Sequence, residues 1–431
     1  MHLARLGLFI TLLCVSCVDS DELGTAEQEA TGTLDIASIT GGKIGTFASA
    51  GAIDFSAANP FFASLGSNGR TCGSCHLERA AWSITPAIAQ QIATTTPNDP
   101  LFSPVDGSDC PLASNPNPTT ASTELIQRGN IRVEIGIPAT ADFFLNGFFD
   151  PHNCATKPSA SRLYLFRRPL PSTNLKFLPT VMWDGRESTH PTVVEDLTQQ
   201  ANDATLGHAQ ATLALTSTQS SGIVNFELPL FTAQTELTVG NETIDLTTGA
   251  NGGPIYLATT VASAFFIGIN DTFSTTFDKR AFSITSVGGL NGPNDASQAA
   301  ITGTCTTCHD SPDVGNHSKP LAINIGVVEA ASVSPAAKTL SISHLPIYTF
   351  RSSVTGAVIT VTDPGRALVT GKFADIGKTK GPILRGLAAR EPLFHNGSAT
   401  ITQLVSFYNL RFNIGLSTQD KTDLQNFLRA L

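Results

Sequence analysis

Charged residues are scarce in this chain, at 14% of 431, and they form no Lys/Arg stripe or cluster. With a formal charge of −9, the sequence lacks the cations that nucleic-acid affinity rests on. Beyond its N-terminus it has no run long and apolar enough to span a bilayer. Methionine is almost missing, since Met182 is the only one after the initiator. No histidine lies between His76 and His152. What remains is globular in composition, with 41% apolar residues and length for about two or three domains. The many Thr, Ser, Gly, Asn and Pro residues predict long ordered loops.

The N-terminus reads as an export signal over residues 1–16. Arg5 gives a short positive region, and Leu6 to Val15 an apolar stretch too short to cross a membrane. Cys14-Val15-Ser16-Cys17 resembles a lipoprotein cleavage site, with Leu usual where Cys14 stands. The chain is therefore expected in the periplasm, either lipid-anchored through Cys17 or simply secreted. Residues 17–45, rich in Glu, Thr, Gly and Ala, read as a tether.

Of the eight cysteines, Cys14 and Cys17 belong to the signal region, and Cys72, Cys75, Cys305 and Cys308 to two C-x-x-C-H motifs. That leaves Cys110 and Cys154 as a disulfide in an oxidising compartment, or as two buried thiols. C-x-x-C-H is the attachment signature of c-type haem. The two thiols bond the vinyl groups from one helical turn, and the adjacent histidine is placed on the iron. No further paired cysteines exist to complete zinc sites. The expected cofactors are two covalent haems, one on Cys72, Cys75 and His76, the other on Cys305, Cys308 and His309.

The predicted fold is mainly α, with two cytochrome c-like haem domains facing each other, long loops and short strand insertions. The boundaries are 46–225 and 226–431. The inserted segment 226–300 holds strand-like pieces at Phe226–Phe231 and Glu236–Val239 and turns at Asn251-Gly252-Gly253 and Asn291-Gly292-Pro293. Residues 400–412 read as a helix with Ile401, Leu404, Val405 and Tyr408 on one face. Ser417 reads as the N-cap of a second helix, striped by Leu424, Phe427, Leu428 and Leu431.

Three features resemble the bacterial di-haem cytochrome c peroxidase and MauG superfamily over roughly residues 60–431. They are Met182-Trp183-Asp184-Gly185-Arg186-Glu187, the block from Pro382-Ile383-Leu384-Arg385-Gly386 to Glu391-Pro392-Leu393-Phe394-His395-Asn396-Gly397-Ser398, and the C-terminal helix pair. The resemblance implies a peroxidatic first haem, an electron-transfer second haem, and Trp183 as a relay between them, or else as a packed interface aromatic. It gives Arg385 and His395 supporting places near haem propionates, and leaves Trp82 and Ile84-Thr85-Pro86 to packing.

The sequence departs from the peroxidase pattern in three places. Where the peroxidases carry a distal histidine for the first haem, this chain holds Ile92 and its neighbours, which implies an open face; His152 is the nearest substitute. Gln200 matches the pocket glutamine, but the glutamate position falls at Gln210, which cannot shuttle a proton; His208 can. His208 as a surface or structural histidine is the alternative. The methionine ligand of the second haem falls at Tyr408, the MauG-like arrangement, or else a buried core tyrosine. Family members also bind calcium, but Lys380 in the matching loop Lys380-Gly381-Pro382 counts against it.

The leading expectation is an oxidoreductase using hydrogen peroxide, with a small redox protein as electron donor or a protein or organic substrate to oxidise. A non-enzymatic di-haem electron carrier and a di-haem oxygenase stand as alternatives. No nucleic acid is expected, and the membrane only through the lipid on Cys17.

Overall fold

The computed structural model describes residues 32–112, 114, 117–247, 253–259, 282–284, 301–303, 309, 322–329 and 334–431. Its strands are β1 (Thr33–Ile39), β2 (Gly42–Ala48), β3 (Ile131–Ile135), β4 (Phe143–Phe149), β5 (Leu163–Arg167), β6 (Leu230–Val239), β7 (Glu242–Asp245), β8 (Phe282–Ile284), β9 (Ile301–Gly303), β10 (Ile347–Ser352) and β11 (Val358–Val361). Its helices are α1 (Pro86–Thr95), α2 (Pro104–Gly107), α3 (Pro118–Ala121), α4 (Thr123–Arg128), α5 (Val193–Gly207), α6 (Ser217–Glu227), α7 (Gly253–Thr259), α8 (Ala367–Thr370), α9 (Ile401–Arg411) and α10 (Thr418–Arg429).

The expectation of a mainly α fold is therefore wrong. Short helices are combined with antiparallel sheets, in the orders β1-β2-β6-β7, β11-β10-β4 and β3-β5, in a mixed α/β architecture. The physical reason lies in runs such as Leu163-Tyr164-Leu165-Phe166-Arg167, which is buried at every position. A strand covered on both faces has no polar alternation to mark it. Its aromatic content is what fits a pleated, packed surface.

Part of the stretch read as a tether is the β1–β2 hairpin, and β6 pairs with β2 from Gly42↔Leu237 to Ala48↔Leu230. The strand-like piece expected from Phe226 begins later, because Phe226 and Glu227 close α6. Trp82, Phe61, Ile223, Leu230 and Ala201 pack into one core between this sheet and helices α5 and α6. A second core joins Leu163 and Leu165 of β5 to Tyr348, Phe350 and Val361. Each Leu, Ile, Val or Phe among them contributes about 1.5–3 kcal/mol by leaving water.

Several local expectations hold. The helix over 400–412 is α9, and Ile401, Val405, Leu428 and Leu431 pack together with Leu404 and Leu424. Ser417 caps α10 in a reciprocal box with Asp420. Cys110 and Cys154 are bonded, with their Cα atoms 5.3 Å apart, so they are not two free thiols. No described helix is long and apolar enough to cross a membrane.

The Trp183-Asp184-Gly185-Arg186 segment is a turn around a buried charge. Gly185 has φ +71°, which suits glycine. Arg167 at the end of β5 donates to Asp184 at 2.7 Å and to both oxygens of Asp363 at 2.7 and 2.9 Å. Arg186 also donates to Asp184. Burial alone would push the Asp184 carboxyl up; Arg167 and Arg186 outweigh it and hold the group far below the usual carboxylate range. Removing its charge leaves Arg167 with one partner, so Asp184→Asn is expected to cost about 3–5 kcal/mol in urea unfolding at pH 7. A carboxyl with a lowered folded value contributes stability above its ordinary value, and loses it as pH falls. The gap between wild type and variant should therefore narrow below about pH 4. A constant gap down to pH 2 would refute the charge-based account.

Candidate functional site

A cavity of about 1450 Å³, counting its open mouth, lies against the first C-x-x-C-H motif. One wall is a stripe of α5: Leu197, Gln200, Ala201, Ala204 and Thr205, with His208 capping the helix end. These positions recur at helical spacing and so share one face. The small side chains of Ala201 and Ala204 leave a slot. The other walls are Cys72, Cys75 and His76, the segment 167–172, Met182, Trp183 and Lys380.

Residues 72–76 form one tight turn, with His76 N donating to Cys72 O at 3.1 Å, so both thiols and the imidazole meet the same cavity. His76 Nδ1 lies 3.0 Å from Trp82 O and 3.0 Å from Ser172 Oγ. A carbonyl only accepts, so Nδ1 carries the proton and Nε2 keeps its lone pair. Burial pushes the imidazole down to about 4, so it is neutral at pH 7, as a ligand must be. Both thiols are pushed up, Cys72 by burial and then by Glu227, Cys75 by burial. Thiols raised in this way stay protonated and uncharged at pH 7, and are poor nucleophiles for disulfide exchange. They suit uncharged thioethers. Trp82 itself is wholly buried and donates to Thr46 Oγ1 at 3.0 Å, a packing role as expected.

Near the end of α5, His208 Nδ1 lies 2.6 Å from Asp106 Oδ2. Asp106 has φ +61°, a left-handed position held by Arg70, whose guanidinium contacts it at 3.5 Å and donates to the carbonyls of Pro100 and Leu101. Burial pushes the Asp106 carboxyl up, but His208, then Arg70 and Arg132, outweigh it and keep it ionised. An ionised Asp106 fixes the proton on Nδ1 and leaves His208 Nε2 as the nitrogen that takes and returns protons. His208 is 35% exposed in its side chain and lines the cavity.

No protein-family model matches the chain, and no curated protein is significantly similar to it. The site therefore stands on its own geometry.

Of the residues singled out in the sequence, the cavity gathers Cys72, Cys75, His76, Gln200, His208, Met182 and Trp183. Gln210 is exposed outside it and offers only its backbone carbonyl, to Ser67. His152 is also outside, 3.6 Å from Glu124 and packed on Phe166, so it is no substitute distal ligand. Trp183 Nε1 donates to Arg168 O at 2.7 Å, and its ring stands 6.1 Å from that of His395. His395 is buried 3.7 Å from Asp363, away from the cavity lining, and Arg385 is also buried outside it.

Cys305 and Cys308 lie outside the described residues, as does the signal with Cys17. His309 is described, and its ring stands 6.5 Å from Tyr408. Tyr408 packs among Phe394, Phe407 and Phe412. Burial pushes His309 down to about 4, so it too is neutral.

The reading of the sequence missed Asp106, Arg70, Ser172 and Glu227. Lys380 was seen only as an obstacle to calcium. It is buried, and its Nζ donates to Thr180 O at 2.7 Å beside the cavity.

Proposed function

We propose that this chain is a di-haem c-type oxidoreductase that takes hydrogen peroxide as its oxidant, in the manner of the bacterial di-haem cytochrome c peroxidase and MauG superfamily. The single observation that carries the reading is one cavity shared by the Cys72-Cys75-His76 turn and the His208–Asp106 pair. The thiols, a neutral imidazole with its free nitrogen available, and a slot walled by alanines fit a covalently held haem. Bound there, the haem supplies the redox-active iron.

The chain's own residues do the rest. His76, locked by Trp82 O and Ser172, holds its ring at a fixed angle. His208 takes a proton from one oxygen of peroxide and returns it to the other, with Asp106 stabilising the imidazolium that forms. Arg167, Asp363 and Asp184 hold the Trp183 turn rigid. From Trp183 the rings of His395, its chain neighbour Phe394, and Tyr408 lead to His309, with ring separations of 6.1 Å from Trp183 to His395, 6.3 Å from Phe394 to Tyr408 and 6.5 Å from Tyr408 to His309. That succession supports electron exchange between two haem sites. Lys380 is buried in the loop that would bind calcium, burial pushes its amine down to about 7, and its Nζ donates to Thr180 O where a calcium ion would need oxygen acceptors, so calcium is not part of the proposal. The reductant is a small redox protein, or a protein or organic substrate is oxidised instead; export, with Cys17 as anchor, completes the reading.

The resting optical spectrum followed by a stoichiometric peroxide titration tests it. A high-spin ferric signal that peroxide consumes is expected; two low-spin, unreactive haems would leave an electron carrier. Tyr408→Phe is expected to create new high-spin signal at the second haem, because Tyr408, whose ring stands 6.5 Å from that of His309, would with His309 hold that haem. An unchanged spectrum and potential in this variant would return Tyr408 to simple packing.

A further inference from the structure

The charges on the cavity wall do not balance. Four cationic side chains, Arg70, Arg167, Arg168 and Lys380, stand there against two acidic ones, Asp106 and Glu227. Three of the cations have their partners. Arg70 contacts Asp106, which also takes His208. Arg167 is held between Asp184 and Asp363. Arg168 donates to the carbonyls of Arg128, Ile84 and Arg390. Burial raises the Glu227 carboxyl to about 7, and His76 is neutral, so neither brings a strong charge.

Lys380 is the exception. It is 5% exposed. Its backbone N–H donates to Trp183 O at 2.8 Å, which fixes it beside the tryptophan. Its Nζ donates to Thr180 O at 2.7 Å. An ammonium has three hydrogens to give, and among the described residues no carboxylate takes the other two. One carbonyl does not offset the cost of burying the charge, and the amine is pushed down to about 7. A buried cation without a counter-ion, on the wall of a cavity, attracts an anion. One ammonium in a largely apolar lining suits a singly charged group on an apolar body, and so a carboxylate rather than a phosphate.

We propose that Lys380 is the anion site of this cavity and binds a carboxylate at Nζ, next to Trp183. Two sources share that chemistry: a propionate of a haem held on Cys72 and Cys75, and the carboxylate of a free organic molecule. The first source rests on the haem reading above; the second does not need it.

The test uses the full, matured protein with Lys380→Met, which keeps the length of the side chain without its charge, and Lys380→Arg, which keeps the charge. Haem content is read by mass. Acetate is titrated by calorimetry at about pH 6, below the value of the empty site. Infrared difference spectra are taken with haem carrying ¹³C in its propionate carboxyls. If a free carboxylate is the ligand, acetate binds wild type saturably, Lys380→Met weakens it roughly tenfold or more, as loss of a charged hydrogen bond should, and Lys380→Arg restores it. If a propionate is the ligand, acetate finds the site taken, and the labelled carboxylate stretch shifts in Lys380→Met and returns in Lys380→Arg. With haem content intact, an unmoved stretch together with no Lys380-dependent acetate binding would overturn the anion site and leave the haem reading standing. Wild type without haem on Cys72 and Cys75 would overturn the haem reading; the anion site then stands on Lys380-dependent acetate binding and falls without it.

Discussion

Protein matured with a cytochrome c assembly system is expected to leave denaturation carrying two haems, and Cys72→Ala with Cys75→Ala is expected to carry one. The turn over residues 72–76 sets both thiols and His76 on one cavity, and neither thiol is disulfide-bonded. Thioether bonds survive unfolding, whereas a haem held by histidine alone is lost when the site opens. The effect is all or none at that site, and intact-mass measurement after acid denaturation reads it directly. Because the cavity is walled largely by apolar residues, the double variant should also lose stability: an emptied slot keeps its exposed lining. Wild-type protein with one haem or none after full maturation would remove the basis of the proposed function.

What the sequence made legible follows from the range of the forces involved. The turn that sets two thiols and an imidazole on one cavity was readable because it is carried by five consecutive positions, Cys72 to His76. Tyr408 was readable as inward-facing because a helix repeats its face every three or four residues, and it does pack among Phe407, Phe412 and Phe394. Capping at Ser417 is equally local.

Long-range pairings were not readable. Asp106 meets His208 across 102 positions, from a left-handed backbone that no periodic pattern announces. Arg70 reaches the same aspartate by threading between the carbonyls of Pro100 and Leu101. Glu227 was taken for part of a strand, although α6 runs to it and the chain turns into β6 only at Leu230. The fold class failed for a related reason. The first hairpin is stabilised by a strand nearly two hundred residues away, as Ala48↔Leu230 shows, and neither half alone declares its partner. Gln210 was drawn in by a resemblance in spacing, yet it sits past the end of α5, where the helical face no longer points to the cavity.

His208→Ala is expected to slow the reaction with peroxide by about 10²- to 10⁴-fold, with haem content and resting spectrum unchanged. Heterolytic cleavage of the peroxide bond needs one group that removes a proton from one oxygen and delivers it to the other. Of the cavity residues matched to the pocket of the resembled family, Gln200 cannot ionise. His208, its Nδ1 occupied by Asp106 at 2.6 Å, has Nε2 left for the shuttle. The two residues should act as one unit. Asp106→Asn can present an amide hydrogen to Nδ1, which moves the ring proton to Nε2 and blocks the base. It is therefore expected to slow the reaction by at least tenfold although His208 is intact, and Asp106→Asn added to His208→Ala should cost nothing more. Stopped-flow rates for the three variants give the comparison. A wild-type rate in His208→Ala would place the proton shuttle elsewhere and leave the pair as a surface ion contact; fully multiplicative losses would show that Asp106 acts on the cavity without His208.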